Sequence, residues 1–267
     1  MNRKIQKYVN FLLDNKPSPF CEYIIYKELL ELDEKSVRDA YDWAKRTKLY
    51  TELYDEQFPD GSWSSFYPMD TKAEVRKKHK NTNRHTIGRL KDLSLDMNDE
   101  MVAKTVDFCK RHIAGDSKFH EPYKLADMRY VIYRFTPDDE LVAHIREERT
   151  TDNEKQRIFM AYNWDRGPWD IVKLSDLVMP DEGPFGFWLC GLEDISDCFL
   201  FGEYMAEKTV PFLYSLCDRL IDPDDTVQIG VNRYYAKIGQ YSETRSNKEH
   251  KKRDLLLRLI RILNKCD

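Results

Sequence analysis

The stretch that decides the fold is Gln57-Phe58-Pro59-Asp60-Gly61-Ser62-Trp63. Pro59-Asp60-Gly61 predicts a tight turn, because glycine accepts the positive φ that such turns require. A glutamine and a tryptophan flank that turn, six positions apart, and both can stack and hydrogen-bond onto an adjacent helix end. What lies on either side makes the adjacent element a helix. Upstream, Val37-Arg38-Asp39-Ala40-Tyr41-Asp42-Trp43-Ala44-Lys45-Arg46 places Val37, Ala40, Tyr41 and Ala44 at helical spacing, with Asp33 or Ser36 as its cap.

Downstream, Val102-Ala103-Lys104-Thr105-Val106-Asp107-Phe108-Cys109-Lys110-Arg111 repeats the pattern, with Phe108 answering Trp43. The segments before them match as well: Leu29-Leu30-Glu31-Leu32-Asp33-Glu34 parallels Leu90-Lys91-Asp92-Leu93-Ser94-Leu95-Asp96. A weaker third copy runs from Arg129 to Val142, where Asp139-Glu140-Leu141-Val142 matches Asp99-Glu100-Met101-Val102, and Pro137 is expected at the start of a helix. Each copy reads as a helix, a short acidic turn and a second helix. The acids suit a helix start, where they cap free N–H groups and face the positive end of the helix dipole. Such hairpins cannot bury an apolar face alone and stack side by side. The C-terminus fits too: Leu255, Leu256, Leu259, Ile260 and Leu263 form an apolar stripe, with Arg253, Arg258, Arg261 and Lys265 mostly off it.

The Gln-x-x-x-Gly-x-Trp pattern after a helical hairpin resembles the QW motif of the terpenoid cyclase and protein prenyltransferase superfamily. The resemblance is clear over roughly residues 20 to 150 and looser beyond. It implies an all-α fold, an α/α toroid in which inner and outer helices alternate around a central cavity. One good copy of the motif implies a diverged single barrel, one domain over residues 1–267 with little strand. In that family the motif is a structural staple, so Gln57 and Trp63 speak to fold and not to catalysis.

The resemblance also directs attention to Asp222-Pro223-Asp224-Asp225-Thr226-Val227, which is similar to the Asp-x-Asp-Asp-Thr-Ala segment of class II cyclases. By that correspondence Asp224 is the general acid, and Asp222 and Asp225 hold its proton. Crowded, buried carboxylates raise one another's pKa, as such an acid requires. An ordinary acidic helix start has nearly the same letters. A class I site is not expected, because Asp138-Asp139-Glu140-Leu141 is followed by Val142 where a second acidic position belongs. The zinc set of protein prenyltransferases is echoed only by Asp194, Cys190, Asp197 and Cys198 with a distant His250, and the Asp-x-Cys spacing is missing. No metal and no cofactor are therefore expected. His112 and His120 have no metal spacing and read as surface residues.

Residues 160 to 203 concentrate Trp, Phe, Gly and Pro and read as long loops over one end of the helical body. Trp164, Trp169, Phe185, Phe187 and Trp188 from this stretch are the expected lining of an aromatic ligand cavity.

Composition narrows the function classes. The 267 residues carry 43 Lys and Arg against 47 Asp and Glu, a formal net charge of −4, which argues against a dedicated nucleic-acid binder. The basic runs at Arg76–Lys80 and Lys248–Arg253 lack interleaved aromatics and read as solvated loops or helix ends. No run approaches the ~18 apolar residues of a membrane span, and the N-terminus is too polar for a signal peptide, so the cytoplasm is the expected compartment. Six cysteines far apart, with no Cys-x-x-Cys pair, read as buried or bystander thiols. There is no phosphate-binding glycine loop and no nucleophile elbow. The expectation is a toroid that binds a small apolar or peptide ligand in a central aromatic cavity. The alternatives are a class II cyclase-like enzyme using Asp224 and a helical-repeat scaffold that binds another protein.

Overall fold

A computed structural model describes residues 2–63, 83–115, 122–143, 209–224, 241 and 248–266. All regular structure among these residues is helical, with no strand. In chain order the α-helices are α1 (Arg3–Asp14), α2 (Pro19–Ile24), α3 (Glu34–Ala44), α4 (Lys48–Glu56), α5 (Asn83–Asp92), α6 (Glu100–Ile113), α7 (Pro122–Phe135), α8 (Thr209–Ile221) and α9 (Lys248–Asn264). A π-helical turn, Ile25–Leu29, continues α2, and a 3₁₀ turn, Glu140–Val142, follows α7. The all-α class is as the sequence implies. Two compact units emerge: one joins Met1–Lys45 to Thr150–Asp267, and the other is Arg46–Arg149.

In the first unit, α1, α8 and the π turn all pack on α9, and α2 and α3 form a hairpin. Asn2 starts α1 by accepting from Lys4 N at 2.8 Å, and Ile5, Tyr8, Val9 and Leu12 form its buried stripe. Ser18 caps α2 with Pro19 in the first helical turn, where a missing N–H costs nothing. Glu31, with φ 47°, turns the chain out of the π turn, and Asp33 then caps α3. Of the two sequence candidates, Asp33 is the cap: its carboxylate accepts from the N–H of Ser36 at 3.0 Å and from the Ser36 hydroxyl at 2.6 Å.

Helix α9 departs from its expected one-sided stripe. Leu255, Leu256, Leu259, Ile260 and Leu263 are buried, but so are Leu257, Ile262 and Arg258, the last only 1% exposed. Every residue from Asp254 to Ile260 is buried, so this stretch has no solvent face to offer an arginine. The Arg258 guanidinium instead lies 5.5 Å from the Tyr241 ring centroid, a cation–π contact. The basic run before the stripe is the first turns of this helix, and there Lys252 is buried rather than solvated.

In the second unit, α6 pairs with α7, and the 3₁₀ turn packs on α7. Helix α5 closes with Ser94 at φ 57°: Leu95 N–H donates to Leu90 O at 3.0 Å and Ser94 N–H to Lys91 O at 2.8 Å. These are the paired bonds of a Schellman ending, and the buried Leu90 and Leu95 supply its apolar contact. Asp99 then caps α6 through Met101 N at 2.8 Å.

The two main repeat copies agree in local design. Each has a residue at positive φ (Glu31, Ser94) followed by an aspartate cap (Asp33, Asp99), and small residues are buried at matching positions: Ala40 with Thr105, Ala44 with Cys109. The aromatic match fails, because Trp43 is 56% exposed whereas Phe108 is 1% exposed. In the third copy Pro137 lies two residues before the cap instead of at the helix start. Asp139 does the capping, accepting from Leu141 N at 3.0 Å, and its own N–H donates to Thr136 O.

Candidate functional site

Among the described residues of the second unit, a dense polar construction is built on the stretch 57–63. Gln57 ends α4 in extended geometry, φ −72° and ψ 127°, which aims its side chain across to α6. Its amide Nε2 lies 3.1 Å from each of Gly61 O, Met101 O and Thr105 Oγ1, three acceptors that share its two N–H groups. Met101 and Thr105 are four apart on α6 and so share one face. The Thr105 hydroxyl donates to Met101 O at 2.7 Å. The turn is closed by Gly61 N–H to Phe58 O at 2.9 Å and Phe58 N–H to Ser62 O at 2.8 Å.

Asp60 braces the turn through Oδ1, which accepts from Ser62 N at 2.9 Å and Ser62 Oγ at 2.6 Å. Burial alone would raise the Asp60 carboxyl. The Ser62 hydroxyl and N–H, with Arg111 and His112 nearby, outweigh it and hold the carboxyl below its usual range. Arg111 also donates to Asp60 O at 2.8 Å.

Gly61 has φ +89°, and a Cβ there would lie 2.1 Å from the backbone oxygen of Lys104. The turn thus rests directly on the α6 backbone, and only glycine fits. Trp63 is fully buried, and its indole N–H donates to Leu53 O at 3.0 Å, fixing the far end of the turn to α4. A second strut runs beside it: Tyr50 Oη donates to Asp99 Oδ2 at 2.7 Å, while Oδ1 of Asp99 caps α6.

His112, read from sequence as a surface residue, is buried one helical turn beyond Phe108, with the two rings 4.0 Å apart. Its Nδ1 is 2.9 Å from Phe108 O, so Nδ1 carries the proton, a carbonyl being only an acceptor.

The acidic candidates lie in the first unit. Asp222 and Asp224 are exposed in the turn that follows α8, where the Asp224 N–H donates to Asp222 Oδ1 at 2.9 Å. That is a turn-closing role, and the exposed carboxylates lack the burial that a proton-donating acid requires. Asp225 lies outside the described residues. So do the expected cavity aromatics Trp164, Trp169, Phe185, Phe187 and Trp188, the segment Cys190–Cys198 and His120. His250 lies in the first turn of α9.

Asp222 borders a groove of 630 Å³ that also touches Lys4, Tyr214, Ser215, Asp218 and Arg219. Much of its polar chemistry holds α1 on α8. Lys7 Nζ pairs with Asp218 Oδ1 at 2.9 Å, and Tyr8 Oη donates to the same oxygen at 3.1 Å. Asn2 donates to Tyr214 Oη at 2.8 Å. The Lys7 hydrogen bond, with that of Tyr8, holds the Asp218 carboxyl low against partial desolvation. Tyr8 is pushed well above its ordinary value, first by burial, then by Cys217 and Asp218.

One cluster gave no sequence signal. Arg261 forks onto Glu28 (Nε to Oε2 at 2.7 Å, Nη2 to Oε1 at 2.8 Å) and donates from Nη1 to Tyr241 Oη at 2.8 Å. Tyr241 is pinned further by Asp254, which accepts its N–H at 3.1 Å, and by the Ser18 hydroxyl, which donates to its carbonyl at 2.8 Å. Its members come from residues 18–28 near one end of the chain and 241–261 near the other, and only folding brings them together.

Cys21, Cys109 and Cys217 are buried, and burial pushes the Cys109 thiol up to about 12. They pack as apolar groups, unreactive at neutral pH. Among the described residues no group of three or more His, Cys, Asp or Glu could hold a metal ion, and no helix is long and apolar enough to cross a membrane. No protein-family model matches the chain, and neither a curated protein nor a solved structure matches it.

Proposed function

We propose that this chain is a helical-hairpin protein of the α/α-toroid kind, related in design to the terpenoid cyclases and protein prenyltransferases, that binds a small apolar or peptide ligand. The observation that carries the reading is the staple at 57–63. Gln57 spans the turn to three acceptors on Gly61 and α6, and the Trp63 indole bonds back to α4. A glutamine–tryptophan pair in this arrangement supports the resemblance that the sequence carries over residues 20 to 150. Fold resemblance says little about chemistry, which resides in the site. The exposure of Asp222 and Asp224 favours a binding role over acid-initiated cyclisation.

The test is thermal unfolding of the full chain with and without neutral isoprenoids, prenyl diphosphates and short apolar peptides. A ligand at a hundred times its Kd stabilises the folded state by about 2.7 kcal/mol. For a chain of this size that raises the midpoint by roughly 5 to 10 °C. A shift with an isoprenoid or apolar peptide is the expected result. A flat response across the panel overturns the ligand-binding reading. It would leave the second reading, a scaffold for a protein partner, which the exposed Trp43 and Leu32 favour because large exposed apolar side chains are typical interface anchors.

A further inference from the structure

We draw no further inference here: the strongest candidate, the groove between the first turn of α1 and α8 lined by Lys4, Tyr214, Asp218 and Asp222, carries nothing, because these groups are engaged with one another and with Asn2, Lys7, Tyr8 and Asp224, and nothing in the structure shows what covers it.

Discussion

Gly61→Ala is the perturbation that tests the staple most directly. Two costs arise at that position. The first is conformational: an alanine held at φ +89° pays the left-handed penalty, about 1–2 kcal/mol. The second is steric. The new methyl carbon would lie 2.1 Å from the Lys104 carbonyl oxygen and 3.2 Å from the Phe108 Cβ, so the turn must lift away from α6. Overpacking of this kind costs roughly 1–3 kcal/mol. Lifting the turn also stretches the hydrogen bonds of the two Gln57 N–H groups, each worth about 1 kcal/mol net. The conformational and steric costs together come to about 2–5 kcal/mol, and the loosened Gln57 bonds add to them.

Gly115 is the internal control. It too has positive φ, +105°, but nothing lies within 4 Å of its missing Cβ, so Gly115→Ala carries the conformational cost alone. Urea unfolding of the full chain measures both variants. Hydrogen exchange of the α6 amides then locates the loss. Gly61→Ala should lower α6 protection at least tenfold more than Gly115→Ala, since about 1.4 kcal/mol corresponds to one decade. Equal losses in the two variants would refute the argument that the turn rests on the Lys104 carbonyl.

Three further expectations can be measured on the same protein. Gln57→Glu replaces a donor by an acceptor facing three acceptor oxygens, and should cost about 2–3 kcal/mol at pH 7. Because folding disfavours its ionised form, its folded pKa is raised above the unfolded value of about 4.3, so the loss grows as pH rises through that value and fades below it. An Arg261→Lys variant loses the planar fork onto Glu28 and should unfold about 1–3 kcal/mol more easily in urea, close to Arg261→Met; wild-type stability for the lysine variant would show that the fork contributes nothing. Asp218→Asn breaks the exposed pair with Lys7 and should cost no more than about 1 kcal/mol at pH 7. Since Asp218 is held low in the folded state, its stabilisation is present above the unfolded value of about 3.9 and is lost as pH falls through the folded one. A difference from wild type that persists undiminished through that fall would contradict the assignment of the shift to this carboxylate.

The features legible in the sequence were local. Asp33, Asp99 and Asp139 act as caps because a short acidic side chain reaches the next free N–H groups whatever else the fold does. Gly61 turns at positive φ for an equally local reason, and the apolar period of α3 and α6 needs only a helix and something to pack against. Failure came where the answer depends on distant neighbours. Trp43 and Phe108 occupy matching repeat positions, yet one is exposed and the other buried, because burial is a property of what packs on a position and not of its letter. Arg258 and Lys252 looked solvated, but α9 is enclosed by other elements, and burial then selects a contact with Tyr241 for Arg258.

The acidic run at 222–224 shows the same divide from the functional side. Its spelling fits both a buried acid and an exposed turn, and desolvation, which separates the two, exists only in three dimensions. For this protein the sequence determined the helices, their caps and the glutamine–tryptophan turn, since these follow from interactions within a few residues. The tertiary structure decided that the turn docks on the carbonyls of α6, that Arg261 clasps Glu28 and Tyr241, and which charged groups leave water. Those contacts join residues 20 to more than 200 positions apart, and nothing in a local pattern encodes which distant partner closes them.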